Sequence, residues 1–374
     1  MYVVTHFSRL LAIINKKLLR VFMGILVALL VLSVLIFFHE LGHFTAARFF
    51  GVQVDVFSIG FGKRLWTKKI GKTEWSLSAI PLGGYVKMKG QDDSDPTKVS
   101  YDDDSYNTKK PWQRIVILLA GPFANFLMAF FLYLAISYMG VPKLLTFVDT
   151  VTKDAPAFVA GIQKEDKILQ INGKSINYWE EIGKTINASQ GPITIIVERN
   201  KILQTLQLTP KVIEDKNVFG ETITRKIIGI TPLPKQATVH YGPIDGFSYA
   251  WDETIKASTL IFKSVQKLIT GAVSTDKLGG IITIVDVTAQ ASHAGILALF
   301  FFTALISVNL GVLNLMPIPA LDGGHIMFNL YEIIRGKAPS DNAMYYITLV
   351  GWALLIGLML LGLYNDVNRL WGAH

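Results

Sequence analysis

Four long apolar segments dominate the pattern of hydrophobic and polar positions along the chain. Each is about twenty residues long, which is the length an α-helix needs to cross the hydrocarbon core of a bilayer. They cover residues 21–43, 115–139, 296–316 and 346–364. The pattern therefore predicts a polytopic α-helical membrane protein with about four transmembrane helices.

Shorter patterns between the first two apolar segments predict strands. Residues 54–59 and 75–80 alternate between apolar and polar side chains, which is the period of a strand with one covered face. Gly60-Phe61-Gly62 and Leu82-Gly83-Gly84-Tyr85 supply bends nearby. We expect a small membrane-associated β-structure here.

The long segment between the second and third apolar runs predicts a small α+β domain. A strand at 167–171 leads into Asn172-Gly173, a pair that favours a tight hairpin turn. A second hairpin is predicted within 193–208, and a short helix at 178–189 lies between the two. Further along, 244–269 has apolar residues at helical spacing and predicts an amphipathic helix near the membrane surface.

These patterns divide the chain into ten segments. They are an N-terminal extension (1–20), the first span (21–43), a loop with β-segments (44–114), the second span (115–139), the α+β domain (145–212), a linker with the amphipathic helix (213–295), the third span and its polar end (296–325), a short loop (326–345), the fourth span (346–364) and a C-terminal tail (365–374).

Composition and charge narrow the function classes. The 374 residues are 51% hydrophobic and contain no cysteine, so thiolate metal sites and disulfides are excluded. The net charge of +8 comes with no nucleic-acid motif, and we expect a lipid bilayer rather than a nucleic acid as partner. Basic residues crowd the 44–114 and 326–345 loops, and basic loops stay in the cytoplasm. The α+β domain is then expected on the extracytoplasmic side.

An acidic run in the first loop has two interpretations. Asp92, Asp93, Asp95 and the residues 102–104 are most simply a solvated loop. A calcium site is the alternative, although the run lacks the EF-hand pattern.

The first span ends in His39-Glu40-Leu41-Gly42-His43, which is the most specific motif of the chain. Residues four apart lie on the same face of a helix, so both imidazoles can bind one metal ion. Glu40 lies beside them, where it can take a proton from a metal-bound water. The alternatives are a signal peptide built on residues 16–38 and two interfacial histidines without metal.

A catalytic zinc site needs a third protein ligand, and the end of the third span offers two candidates. Pro317 and Pro319 are expected to end that helix, and Asp322 and His325 follow. We favour Asp322, because its charge offsets part of the cation's charge and two histidines with one carboxylate form a common catalytic set. The predicted ligands of Zn²⁺ are therefore His39, His43 and Asp322, with Glu40 as the catalytic base.

Polar groups near these ligands predict contacts to a substrate. Asn309 and Asn314 lie on the third span and can pair with peptide groups of an unwound helix, although bonds between helices are the alternative. The stretch Gly83, Gly84, Tyr85 and Val86 could offer an open strand edge to the same substrate.

The paired motifs resemble the site-2 protease family of intramembrane zinc metalloproteases (peptidase M50), with the closest likeness to its bacterial RseP branch. The resemblance rests on the 39–43 and 314–323 motifs, on residues 60–62, 81–86 and 120–125, and on Leu278-Gly279-Gly280-Ile281. Residues 161–173 are similar to a PDZ domain. The chain differs from that branch in two ways. Its sequence predicts one PDZ-like domain where that branch has two in tandem, and it has an N-terminal extension before the first span.

The resemblance implies an endopeptidase of the bacterial inner membrane. It would cleave transmembrane segments of single-span proteins that have already been trimmed, such as anti-sigma factors and remnant signal peptides, in regulated intramembrane proteolysis. The active site would face the cytoplasm, and the protein would act as a monomer. The alternatives are a catalytically inactive membrane scaffold that recruits partners through its PDZ-like domain, and a zinc carrier. A zinc carrier would need further metal ligands along a route through the membrane, and the spans contain no second cluster of histidines and carboxylates.

Overall fold

The structure is a computed structural model and describes residues 2–91, 100–217 and 219–372. The predicted loop positions Asp92, Asp93 and Asp95 lie outside the described residues.

The described elements follow one another along the chain as helices and short strands. The helices are α1 (Tyr2–Phe49), α2 (Pro111–Met139), α3 (Pro156–Val159), α4 (Trp179–Ala188), α5 (Pro243–Ile269), α6 (Ile281–Ala294), α7 (Ile296–Asn314), α8 (Asp322–Arg335) and α9 (Asp341–Trp371). The strands are β1 (Val54–Ile70), β2 (Thr73–Met88), β3 (Val141–Leu144), β4 (Val148–Val151), β5 (Lys167–Ile171), β6 (Lys174–Ser175), β7 (Ile193–Arg199), β8 (Ile202–Leu208), β9 (Lys211–Lys216), β10 (Thr222–Ile227), β11 (Ile230–Pro232) and β12 (Gln236–Val239).

Four of the described helices are long and apolar enough to cross a membrane. They are the Phe22–Phe49 part of α1, and α2, α7 and α9. This confirms the prediction of a helical membrane protein with β regions. The helix ends follow local chemistry. Ser340 caps α9 by accepting a hydrogen bond from the Ala343 backbone N–H at 3.3 Å. α7 ends at Asn314, just before the two prolines at 317 and 319.

The chain divides into two compact units, and the first contains the four apolar helices except for the last three residues of α2. It comprises Met1–Ile136, Phe247–Val265 and Ser274–His374. α1 and α7 pack through a cluster of Val31, Leu32, Leu35 and Ile306. α1 also approaches α2 closely, since a Cβ on Gly42 would lie 2.2 Å from the carbonyl oxygen of Ala120. The three helices that carry most of the polar motifs are therefore held together in one core.

Strands β1 and β2 form a bent two-stranded sheet in the first unit. Val56–Ile59 of β1 pairs with both the 84–87 and the 74–77 parts of β2. The 61–70 part of β1 pairs with 73–80 as an outer hairpin. The run from Gly84 to Met88 therefore lies at an edge of the sheet, and no other described strand pairs with it.

A loop after this sheet is held by ion pairs. Lys89 contacts the carboxylates of Asp102 and Asp104, each at 2.7 Å. By hydrogen bonding to both side chains, Lys89 lowers the pKa of each carboxyl below its ordinary value. Among the described acidic residues of the run, these two are thus neutralised by a lysine.

The second unit is a small α+β structure that comprises Ser137–Gly246 and Gln266–Val273. Its main sheet has the strand order β6-β5-β7-β8, and α3 and α4 accompany it. The core is almost wholly isoleucine and valine, including Ile168, Ile171 and Ile195, which are fully buried. The predicted Asn172-Gly173 turn is present, with φ of 50° and 77° at the two residues.

Strands β9 to β12 lie in the segment for which the sequence predicted a linker with an amphipathic helix. β11 pairs with β4, about eighty residues earlier in the chain, and β12 pairs with β3, about ninety-five residues earlier. Such pairings are non-local, so the hydrophobic pattern of the segment itself gave no sign of them. The amphipathic helix is present as α5.

Candidate metal centre

One turn of α1 brings the two histidines of the motif together. The Nε2 atoms of His39 and His43 lie 3.2 Å apart, because the side chains project from the same helix face four residues apart. Both rings are largely enclosed, with 13% and 7% of the side chains exposed. The pair therefore presents two nitrogen atoms to a single point inside the helical core.

The third group of the cluster comes from the first residue of α8. The Oδ2 of Asp322 lies 3.4 Å from Nε2 of His39 and 3.5 Å from Nε2 of His43. The turn before α8 folds tightly onto the helix start, since a Cβ on Gly323 would lie 2.2 Å from the carbonyl oxygen of Met316. This turn aims the aspartate at α1. His39, His43 and Asp322 thus form a cluster that could hold a metal ion.

The spacing of these three atoms fits a tetrahedral zinc ion. Zinc binds nitrogen and carboxylate oxygen at about 2.0–2.2 Å, so a tetrahedral ion holds its ligand atoms about 3.3–3.6 Å apart. The three distances in the cluster are 3.2, 3.4 and 3.5 Å. Three protein ligands leave the fourth position for water, which is the arrangement of a catalytic site.

α2 fixes the orientation of His43. Its Nδ1–H donates a hydrogen bond to the backbone carbonyl of Ile117 at 2.9 Å. A carbonyl can only accept, so the proton lies on Nδ1 and the Nε2 lone pair is free for a metal. The ring lies over Gly121, where a Cβ would be 2.2 Å from Nε2. Only glycine leaves room for the imidazole at this position.

Glu40 follows His39 directly on α1 and is 9% exposed. It neighbours the sheet edge, since a Cβ on Gly84 would lie 3.0 Å from Cγ of Glu40 and 2.7 Å from the carbonyl oxygen of Ser58. The glutamate and the edge strand of β2 are therefore adjacent. Gly83, Tyr85 and Val86 continue the same strand.

The two asparagines of α7 have different surroundings. The Nδ2 of Asn314 lies 3.4 Å from Nε2 of His39, so this amide borders the cluster directly. Asn309 is partly buried on the same helix, about one and a half turns earlier.

His325, the competing third ligand, is not part of the cluster. Its ring packs edge-on against Phe328, with the ring centroids 5.9 Å apart. It lines a cavity of about 410 Å³ beside the ion pair of Arg114 and Glu332. The geometry therefore favours Asp322 over His325.

Sequence reasoning missed the groups of α2 that surround the histidines. These are the Ile117 carbonyl, Gly121 and Asn125, whose amide Nδ2 lies 3.0 Å from Nδ1 of His39. Gly121 and Asn125 belong to the 120–125 motif, which carried the family resemblance but no assigned role. Every residue has a backbone carbonyl, so the sequence cannot indicate that the carbonyl of Ile117 is the one that accepts from His43.

Comparisons with known proteins agree on one family. The model of Peptidase family M50 matches residues 27–358. A Campylobacter jejuni protein named as a zinc metalloprotease is 46% identical over 347 residues, which cover 93% of this chain and 94% of the relative. A Helicobacter pylori protein with the same designation is 42% identical over 355 residues, with 92% and 99% of the two chains covered. One from Clostridium acetobutylicum is 34% identical over 348 residues, with 92% and 98% covered.

Proposed function

Since this chain belongs to peptidase family M50 and is a zinc metalloprotease, we propose that it cleaves peptide bonds inside membrane-spanning segments of other proteins. The observation that carries the proposal is the position of the His39, His43 and Asp322 cluster. Two of its three groups lie on the Phe22–Phe49 helix, which is apolar enough to cross a bilayer. Charged groups at membrane depth are costly, so their presence points to chemistry performed there.

The three residues of the cluster and the neighbouring Glu40 have different roles in the proposed reaction. His39, His43 and Asp322 would hold the zinc ion. Zinc, when bound, lowers the pKa of a coordinated water to about 7 and polarises a carbonyl group. Glu40 takes the proton from the attacking water and passes it to the leaving amine. Its side chain is buried and lies on the same helix as both histidines.

A substrate helix must unwind before its peptide bonds can be attacked, and each hydrogen bond opened in lipid needs a replacement. The edge of β2 from Gly83 to Val86 could supply these replacement hydrogen bonds, because β1 is the only described strand that pairs with it and because Gly84 adjoins Glu40. The unwound substrate would add to this edge as a further strand. The amides of Asn314 and Asn309 would hold peptide groups from the opposite side.

The biological role follows the resemblance to the RseP branch of site-2 proteases. The substrates would be single-span proteins trimmed beforehand, such as anti-sigma factors or remnant signal peptides. The basic loops at 44–114 and 326–345 support a bacterial inner-membrane protein whose active site faces the cytoplasm. The α+β unit would be an extracytoplasmic PDZ-like domain that admits trimmed substrates, and the protein would act as a monomer.

Cleavage by the purified protein tests the proposal. The protein in detergent is incubated with a single-span substrate, and wild type is compared with Glu40→Gln and with Glu214→Gln. Glu214 is a glutamate of β9 in the second unit, and its substitution should leave cleavage unchanged. We expect Glu40→Gln to lose cleavage by a factor of at least about 10². Equal cleavage by Glu40→Gln and wild type would refute the proposal.

The strand-addition part has its own test. Proline at Tyr85 or Val86 removes a backbone N–H from the edge strand, so cleavage should fall while zinc content stays at the wild-type level. Unchanged cleavage in both proline variants would show that the substrate does not use this edge.

A further inference from the structure

Asn125 is a buried amide that the proposed chemistry does not use. It lies on α2 and is fully buried. Its Nδ2 is 3.0 Å from Nδ1 of His39, and its Oδ1 has no hydrogen-bond partner among the described residues. A buried polar atom without a partner is costly and calls for an explanation.

The chemistry of His39 indicates which of the two amide atoms should be the paired one. The Nε2 of His39 faces Asp322 and His43, so a neutral imidazole that binds zinc there carries its proton on Nδ1. An Nδ1–H is a donor, and the amide nitrogen of Asn125 is also a donor. These two groups cannot hydrogen bond to each other.

A half-turn of the amide resolves the conflict. The oxygen and nitrogen of an asparagine amide are nearly equal in size and exchange places on rotation. The rotated amide places Oδ1 against Nδ1–H of His39 and moves the nitrogen to the far side. The number of unpaired amide atoms stays the same, and an Nδ1–H on His39 favours the orientation in which Oδ1 faces it.

We propose that Asn125 is a positioning residue whose Oδ1 accepts a hydrogen bond from Nδ1–H of His39 and thereby aims Nε2 at the metal. The inference rests on the metal site of the proposed function. α2 already orients His43 through the Ile117 carbonyl, so one helix would orient both histidines supplied by α1. The backbone of Asn125 is itself held, since Ser307 of α7 donates to its carbonyl at 2.7 Å. Such outer partners of a zinc histidine are typically carboxylates or carbonyls.

Zinc affinity, measured by chelator competition without any substrate, tests this role. The variants are Asn125→Leu, which keeps the size but removes the acceptor, and Asn125→Asp, which can only accept. Asn329→Leu is the matched control, because Asn329 is a buried helical asparagine that donates a hydrogen bond to the His325 carbonyl and is not one of the three cluster residues. Each affinity is measured on the folded, monodisperse fraction in detergent.

We expect Asn125→Leu to weaken zinc binding about 10- to 100-fold, as loss of an outer partner usually does. Asn125→Asp should bind zinc at least as tightly as wild type, and Asn329→Leu should match wild type. Wild-type affinity in Asn125→Leu would overturn the proposal. Equal losses in the Leu and Asp variants would also overturn it, because the nitrogen of the amide would then be the essential group.

A measurement on the unsubstituted protein covers the case in which the variants do not fold. NMR of the zinc-loaded protein with ¹⁵N-labelled histidine, assigned by comparison with His39→Ala, should show a protonated, hydrogen-bonded Nδ1 on His39. A metal-bound Nδ1 would contradict the proposal. Failure of wild type to bind zinc would instead remove the metal site of the proposed function, so the two outcomes are distinguishable.

Discussion

Gly121→Ala should weaken zinc binding at the metal centre while the rest of the protein stays folded. The added Cβ would lie 2.2 Å from Nε2, 2.5 Å from Cε1 and 2.7 Å from Cδ2 of His43. Elsewhere in a helix the same change is favourable by about 1 kcal/mol, because alanine has the higher helix propensity. Any loss at this position therefore comes from the contact with the imidazole.

The size of the displacement follows from the distances. Ordinary contact begins near 3.4 Å, so Nε2 must move by about 1.2 Å relative to the new methyl group. The ring cannot simply rotate, since its Nδ1 is tied to the Ile117 carbonyl at 2.9 Å. A zinc site tolerates ligand displacements of about 0.2 Å. We therefore expect zinc affinity to fall by more than about 100-fold, or about 3 kcal/mol, and cleavage to fall with it.

Two other glycine substitutions calibrate the assay. Gly357 lies in the apolar helix α9 with nothing within 4 Å of its added Cβ, so Gly357→Ala should bind zinc as wild type does. Gly311 of α7 faces the ring of Phe126, with the closest ring atom 3.0 Å from its added Cβ, so Gly311→Ala should have a small effect. Zinc stoichiometry and affinity are measured by chelator competition, and thermal unfolding shows whether each variant is folded.

One result would refute the reasoning about Gly121. If Gly121→Ala binds zinc with wild-type affinity while folded, His43 does not occupy the space above this glycine when the metal is bound. His43 could then be a zinc ligand only if its imidazole lay in a different position from the one in this structure.

Three further predictions concern neighbouring groups. Gly84→Ala should lower kcat about tenfold or more without changing zinc affinity, because the new Cβ meets Glu40 and backbone rather than a metal ligand. An unchanged kcat would show that the contact between the sheet edge and Glu40 does not affect catalysis. Asn314→Leu should lower kcat/KM about tenfold or more through a lost substrate hydrogen bond, with folded protein still binding zinc; a loss of zinc instead would make Asn314 part of the metal site. Asp366→Ala should lower the free energy of unfolding by about 1–2 kcal/mol, since Asp366 caps α6 by accepting from Gly280, Ile282 and Thr283. Thermal unfolding measures that loss, and an unchanged Tm would rule out the cap as a stabilising contact.

The sequence by itself determined the features that depend on neighbouring residues. The charge-free stretch before His39 predicted a spanning helix, and helical spacing alone brought His39 and His43 to one face. The Asn172-Gly173 pair predicted a turn that is present, because both residues tolerate positive φ. In each case the covalent geometry of a few consecutive residues is sufficient.

Only the tertiary structure decided the features that need distant segments to meet. The sequence left Asp322 and His325 as competing ligands, and the packing of the turn before α8 onto its first residues brought Asp322 to the cluster. The role of Asn125 and the pairing of β11 and β12 with earlier strands were equally hidden. The physical reason is that such contacts are fixed by side-chain packing between helices and strands far apart in the chain, and no periodicity within one segment records which other segment it will face.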